Sequence, residues 1–335
     1  MKYLLNFLYF FRNKKKTEIK KILFVRLDNK IGDSIIDTFF VRELKKLFPA
    51  ASITLLMLSP YDAIFEGNPY INKMITVPFA RGKWRVALYK LLQIRAEHYD
   101  LVIDIPWPAT AKRLAYLYFS GARQIMSANN KGFNFITYPL FWQPEKHIRE
   151  VLADGLKLLG AKNVDCSYEL FLQDQPQIAK LAADLKPDHK KLLVFNPDGA
   201  SLKSTLRDEN IKKILHVLKN SGLFTTVLSD YKQRHSSAAA DADALFTSKG
   251  LAETAALIKH CDLVLSVDTG IVHLADVYKK PALVLYSSDS CSVENNRVLF
   301  SSVTPSSKFL QAETVNAIEP ADMLNLLKDI LNETN

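Results

Sequence analysis

The sequence predicts an α/β chain of two doubly wound Rossmann-like domains facing a central cleft, and three observations predict it. Apolar runs of strand length alternate with stretches of helical period, the pattern of parallel strands joined by crossover helices. The alternation breaks once and restarts, so it occurs twice at similar length. The chain has 335 residues, 48% hydrophobic and 24% charged, which is enough for two cores of ordinary size.

In the first set, Lys21-Ile-Leu-Phe-Val-Arg-Leu27 reads as a buried strand. From Asp33 to Phe48, Ile36, Phe40, Leu44 and Leu47 fall on one face, so this stretch is an amphipathic helix stopped before Pro49. Strands are expected at Ser52 to Leu58, Lys73 to Val77, Asp100 to Ile105 and Ala122 to Met126, with helices near 84–97, 109–119 and 147–159. Polar stretches at 161–165 and 173–176 follow, and the second set opens with Lys191-Leu-Leu-Val-Phe-Asn196. Its further strands lie near 224–229, 262–267 and 282–286, and its helices near 207–220, 233–243, 251–259 and 271–278. The amphipathic segment Pro320 to Leu331 has no strand after it and is expected to pack back across the first half. The expected division is therefore a segment 1–20, a domain 21–165 and a domain 166–335.

Residues 1–21 carry seven basic side chains against the single Glu18, so +6 of the formal net charge of +9 sits there. The apolar stretch MKYLLNFLYFF is too short to span a bilayer, and lysines stand where a signal peptide would need a cleavage site. Aromatic and leucine residues beside lysines suit a helix lying in a membrane interface, or alternatively a tail packed on its own domain. Cys166, Cys261 and Cys291 have no C-x-x-C spacing, which points to a reducing compartment and to cysteines serving as small hydrophobes. With the charge concentrated at one end and no recognisable module, nucleic acid is not an expected partner.

Ligands of doubly wound folds sit outside the carboxyl ends of the strands, so the loops there carry the site. The first loop, Leu27-Asp-Asn-Lys-Ile-Gly-Asp33, is not G-x-G-x-x-G, and no P-loop motif occurs in the chain. Gly32 allows a tight turn, and Asp33 falls on the first helical turn, either as a residue favoured by the helix dipole or as a carboxylate at the mouth of the cleft. In Phe195-Asn-Pro-Asp-Gly-Ala-Ser-Leu-Lys203 the small residues Gly199, Ala200 and Ser201 permit close approach to a ligand. Lys203 is either a point charge for phosphate or a surface lysine in a turn. In Ser266-Val-Asp-Thr-Gly-Ile-Val-His273, Asp268, Thr269 and Gly270 lie where strand gives way to helix, so free amides, a hydroxyl and a positive helix end converge as they would on a diphosphate. His273, one turn along, either faces that anion or is a satisfied core histidine.

These three segments, in this order, with His147-Ile-Arg-Glu150 opening a helix between them, resemble the bacterial heptosyltransferases of glycosyltransferase family 9. The resemblance implies a GT-B fold and transfer of heptose from ADP-heptose to the inner core of lipopolysaccharide, with inversion at the anomeric carbon. It implies Asp33 as catalytic base, Lys203 as the cation that neutralises the sugar diphosphate, and Ser201, Asp268, Thr269, Gly270 and His273 as donor-binding residues. No metal and no cofactor is then required. The first domain would take the acceptor and the second the nucleotide sugar. The chain departs from the family pattern at Asn29-Lys30, at Pro197-Asp198 and near Ser229-Asp-Tyr-Lys232, where an acidic ribose contact has no clear counterpart.

The implied acceptor is the anionic lipid A and Kdo core, reached from the cytoplasmic surface of the inner membrane by a peripheral protein. Lys30, Arg81, Lys83, Arg85, Lys112 and Arg113 are candidates for gripping its phosphates or acid sugars, or belong to a solvated face. Asp241-Ala-Asp243 is a D-x-D, but within an alanine-rich stretch it reads as a solvated helix face rather than a metal motif. Two other readings remain, a family 9 transferase with a different nucleotide-sugar donor and a two-lobed sugar-binding protein without catalysis.

Overall fold

The computed structural model describes residues 18–27, 30–59, 61–78, 91–105, 111–128, 132–141, 143, 145–186, 189–288 and 298–334. Most of the basic N-terminal segment, the candidates Arg81, Lys83 and Arg85, and Cys291 lie outside the described residues. The chain divides into two compact units between Phe171 and Leu172. Among the described residues, no helix is long and apolar enough to cross a membrane.

The first unit is built on six strands: β1 (Lys21–Arg26), β2 (Ser52–Ser59), β3 (Lys73–Pro78), β4 (Leu101–Asp104), β5 (Gln124–Ala128) and β6 (Tyr138–Leu140). Their order is β3-β2-β1-β4-β5-β6, and every neighbouring pair is parallel. Helices covering both faces bury the central strands completely, which is why β1 and β4 read as near-continuous apolar runs. Helix α1 (Ile31–Leu47) follows β1, and α2 (Ala111–Phe119) and α3 (Ile148–Leu158) cover the rest of the sheet.

Burial on α1 is much wider than the expected stripe, running without interruption from Ser34 to Leu44. One side packs on the sheet, with the Phe24 and Phe40 ring centroids 5.7 Å apart. The other side is covered by the chain at 165–169: Arg42 donates to the carbonyls of Asp165 (2.6 Å) and Ser167 (3.0 Å), and the Glu169 amide donates to Thr38 Oγ1 (3.1 Å). That packing carries the first unit beyond residue 165, to Phe171.

The second unit repeats the plan with β7 (Lys191–Asn196), β8 (Phe224–Ser229), β9 (Ala244–Phe246), β10 (Leu263–Val267), β11 (Ala282–Ser287) and β12 (Lys308–Ala312). Their order is β12-β11-β10-β7-β8-β9, again all parallel, so the path matches that of the first sheet. Its helices are α4 (Pro176–Asp184), α5 (Asp208–Ser221), α6 (Leu251–His260), α7 (Gly270–Val277) and α8 (Pro320–Thr334).

One expectation is corrected. The helix expected at 233–243 is a run of turns with one short 3-10 turn at Ala239–Asp241, because the Asp230 carboxylate draws in the amides of Arg234 (2.8 Å) and His235 (3.0 Å), and Ala238 is buried in the core. Asp241 and Asp243 therefore do not share a helix face, and Asp243 instead accepts the Thr226 amide at 2.7 Å. In the terminal helix α8, Met323, Leu327 and Ile330 belong to the second unit's core, beside residues of α5, β10 and β11.

Candidate functional site

In each sheet the strand order reverses between the first and fourth strands of its unit, β1 and β4 in one and β7 and β10 in the other. Loops leaving such a pair diverge to opposite faces and open a crevice at the carboxyl ends. The expected site residues fall on these loops.

In the first unit, β1 ends on Arg26, whose guanidinium is nearly buried and serves two carboxylates of α1. Nη2 lies 3.2 Å from Asp33 and Nε lies 3.0 Å from Asp37, one helical turn further on. Asp37 is shut off from solvent while the Asp33 side chain keeps 20% of its surface exposed, so Asp33 is the one of the pair that can meet a ligand. Lys30 Nζ stands 3.8 Å from the same Asp33 oxygen. Paired with β1 at Val25, β4 ends on buried Asp104, which takes both sides of the Arg113 guanidinium, with Nε at 3.1 Å. Arg113 is thus committed to a structural carboxylate rather than to a solvated face. Lys112 lies on α2 beside it.

In the second unit, Asn196 at the end of β7 ties the two diverging loops together. Its Nδ2 lies 3.0 Å from Ser266 Oγ, 3.3 Å from Thr269 Oγ1 and 3.2 Å from the Asp198 carbonyl. Thr269 is the N-cap of α7, and its hydroxyl faces Asn196 rather than capping the helix; the Val272 amide donates to the Thr269 carbonyl (3.1 Å), and the amides of Gly270 and Ile271 stand at the helix start, where an anion is favoured. Asp268 and Gly270 flank it at the strand-to-helix junction.

His273, 4% exposed, has Nδ1 3.6 Å from Asp276 Oδ2. The Asp276 carboxylate is itself fixed by Ser302 Oγ (2.6 Å), Thr304 Oγ1 (2.9 Å) and the amides of Val303 (2.9 Å) and Thr304 (3.0 Å). His273 is therefore a buried histidine with a charged neighbour, and it stands on the same helix whose N-terminus carries Thr269 and Gly270.

The loop after β7 is closed by its own hydroxyls: the Gly199 amide donates to Thr205 Oγ1 (3.1 Å), which donates to the Ser201 carbonyl (2.8 Å), and Ser201 and Ser204 form a capping box around the turn Leu202–Ser204. A methyl group at Gly199 would meet the Ser204 carbonyl oxygen at 2.2 Å, so only glycine permits this fold-back. The turn holds Lys203 exposed.

Ser201 and Lys203 are thus carried by the loop after β7, and Asp268, Thr269, Gly270 and His273 by the loop and helix after β10. Asn196 links the two. Asp33 and Lys30 belong to the crevice of the first unit. Asn196, Arg26, Asp37, Asp104 and Asp276 were given no role from the sequence. A charged residue ending an otherwise apolar run would have pointed to Arg26, and the i,i+3 spacing to Asp276.

Comparison with known proteins gives these residues a context. The family described as glycosyltransferase family 9 (heptosyltransferase) matches residues 87–293. A curated relative in Escherichia coli (strain K12), whose assignment as lipopolysaccharide heptosyltransferase 4 is itself provisional, is 26% identical over 304 residues, 84% of this chain and 80% of its own. Among solved structures, the glycosyl transferase family 9 protein of Veillonella parvula has a TM-score of 0.74 at 18% identity, covering 96% of this chain and 99% of that one. The Escherichia coli heptosyltransferase WaaC with ADP has a TM-score of 0.68 at 14% identity, covering 92% and 99%. At these identities the structural likeness is one of fold, and the fold is GT-B.

Proposed function

The chain belongs to glycosyltransferase family 9 (heptosyltransferase), and from that membership we propose that it moves heptose from ADP-heptose to the inner core of lipopolysaccharide, with inversion and without a metal in the chemical step. The observation that carries this reading is the link from Asn196 to Ser266 and Thr269, which ties the base of the loop bearing Ser201 and Lys203 to the N-terminus of α7. Amides, a hydroxyl and an ammonium group carried by these two loops are what an ADP leaving group needs. The solved Escherichia coli relative carries ADP.

In the proposed reaction the acceptor hydroxyl attacks the anomeric carbon from the face opposite the diphosphate. Its proton passes to the Asp33 carboxylate as the new C–O bond forms. The bond from the anomeric carbon to the phosphate oxygen breaks, and ADP departs with the electron pair. Lys203, the α7 amides, Thr269 and His273 stabilise that charge, and inversion follows from the single displacement. Correctly placed proton acceptors contribute about 10²–10⁴-fold to rate. Lys30, beside Asp33, suits a phosphate or acid sugar of an anionic lipid A and Kdo acceptor. The basic, aromatic N-terminal segment would hold the protein on the cytoplasmic face of the inner membrane.

Asp230, in the loop after β8, is buried and accepts two backbone amides, so it is not an acidic ribose contact. Transfer assays with ADP-heptose and UDP-sugars on a delipidated inner-core acceptor test the donor: ADP-heptose is expected to support turnover, and preference for a UDP-sugar would replace it as donor.

A further inference from the structure

A second group of polar residues lies beneath the loop after β7, apart from the residues assigned to the donor. Asp198, Asp230 and His235, on loops after the neighbouring strands β7 and β8, are 4%, 1% and 4% exposed. One ligand-type atom from each lies within 4.8 Å of the others.

The ring of His235 is oriented from behind. Its Nδ1 is 2.6 Å from Asp208 Oδ1, and Asp208 is held in turn by the Ser237 hydroxyl. With Nδ1–H donating to that carboxylate, Nε2 is left with its lone pair facing the group. This is the carboxylate–histidine relation found behind metal-ligating imidazoles. Nε2 has no hydrogen-bond partner, and neither oxygen of Asp198 has one.

Nε2 and Asp198 Oδ1 are 3.5 Å apart. That is long for an N–H···O bond. It is close to the ligand–ligand edge of a tetrahedron with bonds of about 2.1 Å, which is about 3.4 Å. Asp230 completes the set: each of its oxygens accepts one amide, from Arg234 (2.8 Å) and His235 (3.0 Å), which fixes the carboxylate and leaves lone pairs for a cation. Lys232 is the other charge nearby, but its Nζ donates to the Gly199 carbonyl at 2.8 Å and stands 3.6 Å from Asp198 Oδ1. The buried Asp198 carboxylate and the Nε2 lone pair are costly without a hydrogen-bond partner, and a divalent cation shared with Asp230 would satisfy both.

We propose that Asp198, Asp230 and His235 bind one divalent transition-metal ion of the Zn²⁺ class. The ion is structural: it joins the loop after β8 to the base of the loop that carries Ser201 and Lys203, and takes no part in the transfer step.

The test uses the full-length protein, stripped with a chelator and titrated with ZnCl₂ by calorimetry, with metal content measured by mass spectrometry and stability by thermal melting. One equivalent of zinc per chain and a higher melting temperature with zinc are expected. Asp198→Asn and His235→Gln should lose that equivalent, and Asp208→Asn should weaken it by about 10–100-fold. His216→Ala, at an exposed histidine, should keep it. If the ligand variants fold poorly, Co²⁺ bound to the wild-type chain provides an independent readout through a tetrahedral d–d absorption spectrum. A folded wild-type chain that takes up no zinc and melts identically with zinc and with chelator overturns the proposal. So do zinc binding unchanged in Asp198→Asn and His235→Gln, or a cobalt spectrum of purely octahedral weakness.

Discussion

The Arg26 guanidinium grips Asp33 at 3.2 Å while its Nε holds Asp37 at 3.0 Å, so the last residue of β1 fixes the partly exposed carboxylate of α1. Asp33→Ala should lower turnover at least about 100-fold, the low end for loss of a general base, with ADP affinity unchanged. Arg26→Lys puts a single ammonium where a fork served two carboxylates. We expect it to lower kcat about tenfold with a much smaller effect on the donor KM. Steady-state kinetics on both variants check this, and an Asp33→Ala enzyme with near-normal turnover would move the base elsewhere.

Gly199 is the point where the loop after β7 folds back on itself. A Cβ there would strike the backbone carbonyl of Ser204, which cannot move without shifting Lys203. Gly199→Ala should raise the donor KM about tenfold with a much smaller effect on kcat. Donor titration in a transfer assay measures it.

Asp276 holds residues 302–304 against α7 and stands beside His273. Asp276→Asn removes a charge from bonds to two amides and two hydroxyls, and should cost about 1–3 kcal/mol of stability. Denaturant unfolding tests it, and a loss below a few tenths would show that the cluster contributes little.

Asp208 accepts from His235 and from Ser237, and these bonds, with the nearby charges, hold its carboxyl below the usual carboxylate range. A depressed folded value contributes stability that is present above the unfolded carboxylate value, about 3.9, and is lost as pH falls through the folded one. Wild-type melting temperature should therefore fall more steeply on acidification below about pH 4 than that of Asp208→Asn. Parallel slopes would contradict the pairing.

The central strands were legible in the sequence because burial on both faces writes β1, β7 and β10 as unbroken apolar runs. The edge strands β6, β9 and β12 were not, since they have three, three and five residues and are only partly buried. The stretch 233–243 has the alanine content of a helix, yet the Asp230 carboxylate and the burial of Ala238 override that propensity. Of the candidate site, Asp268 to His273 could be read from local spacing at a strand-to-helix junction. The residues that organise it could not: Asn196 meets Ser266 and Thr269 across some 70 residues of sequence, and nothing local to Asn196 announces them. Likewise, Arg113 looked available for an anionic ligand until its pairing with Asp104 was seen.

The central claim is that an ADP leaving group is held by the two loops that Asn196 joins. Calorimetric titration of the full-length chain with ADP tests it most directly. Wild type and Asp33→Asn should bind with equal affinity, and Lys203→Ala should bind at least about tenfold more weakly. Absence of ADP binding by the folded wild-type chain, or equal affinity in Lys203→Ala, would contradict the account.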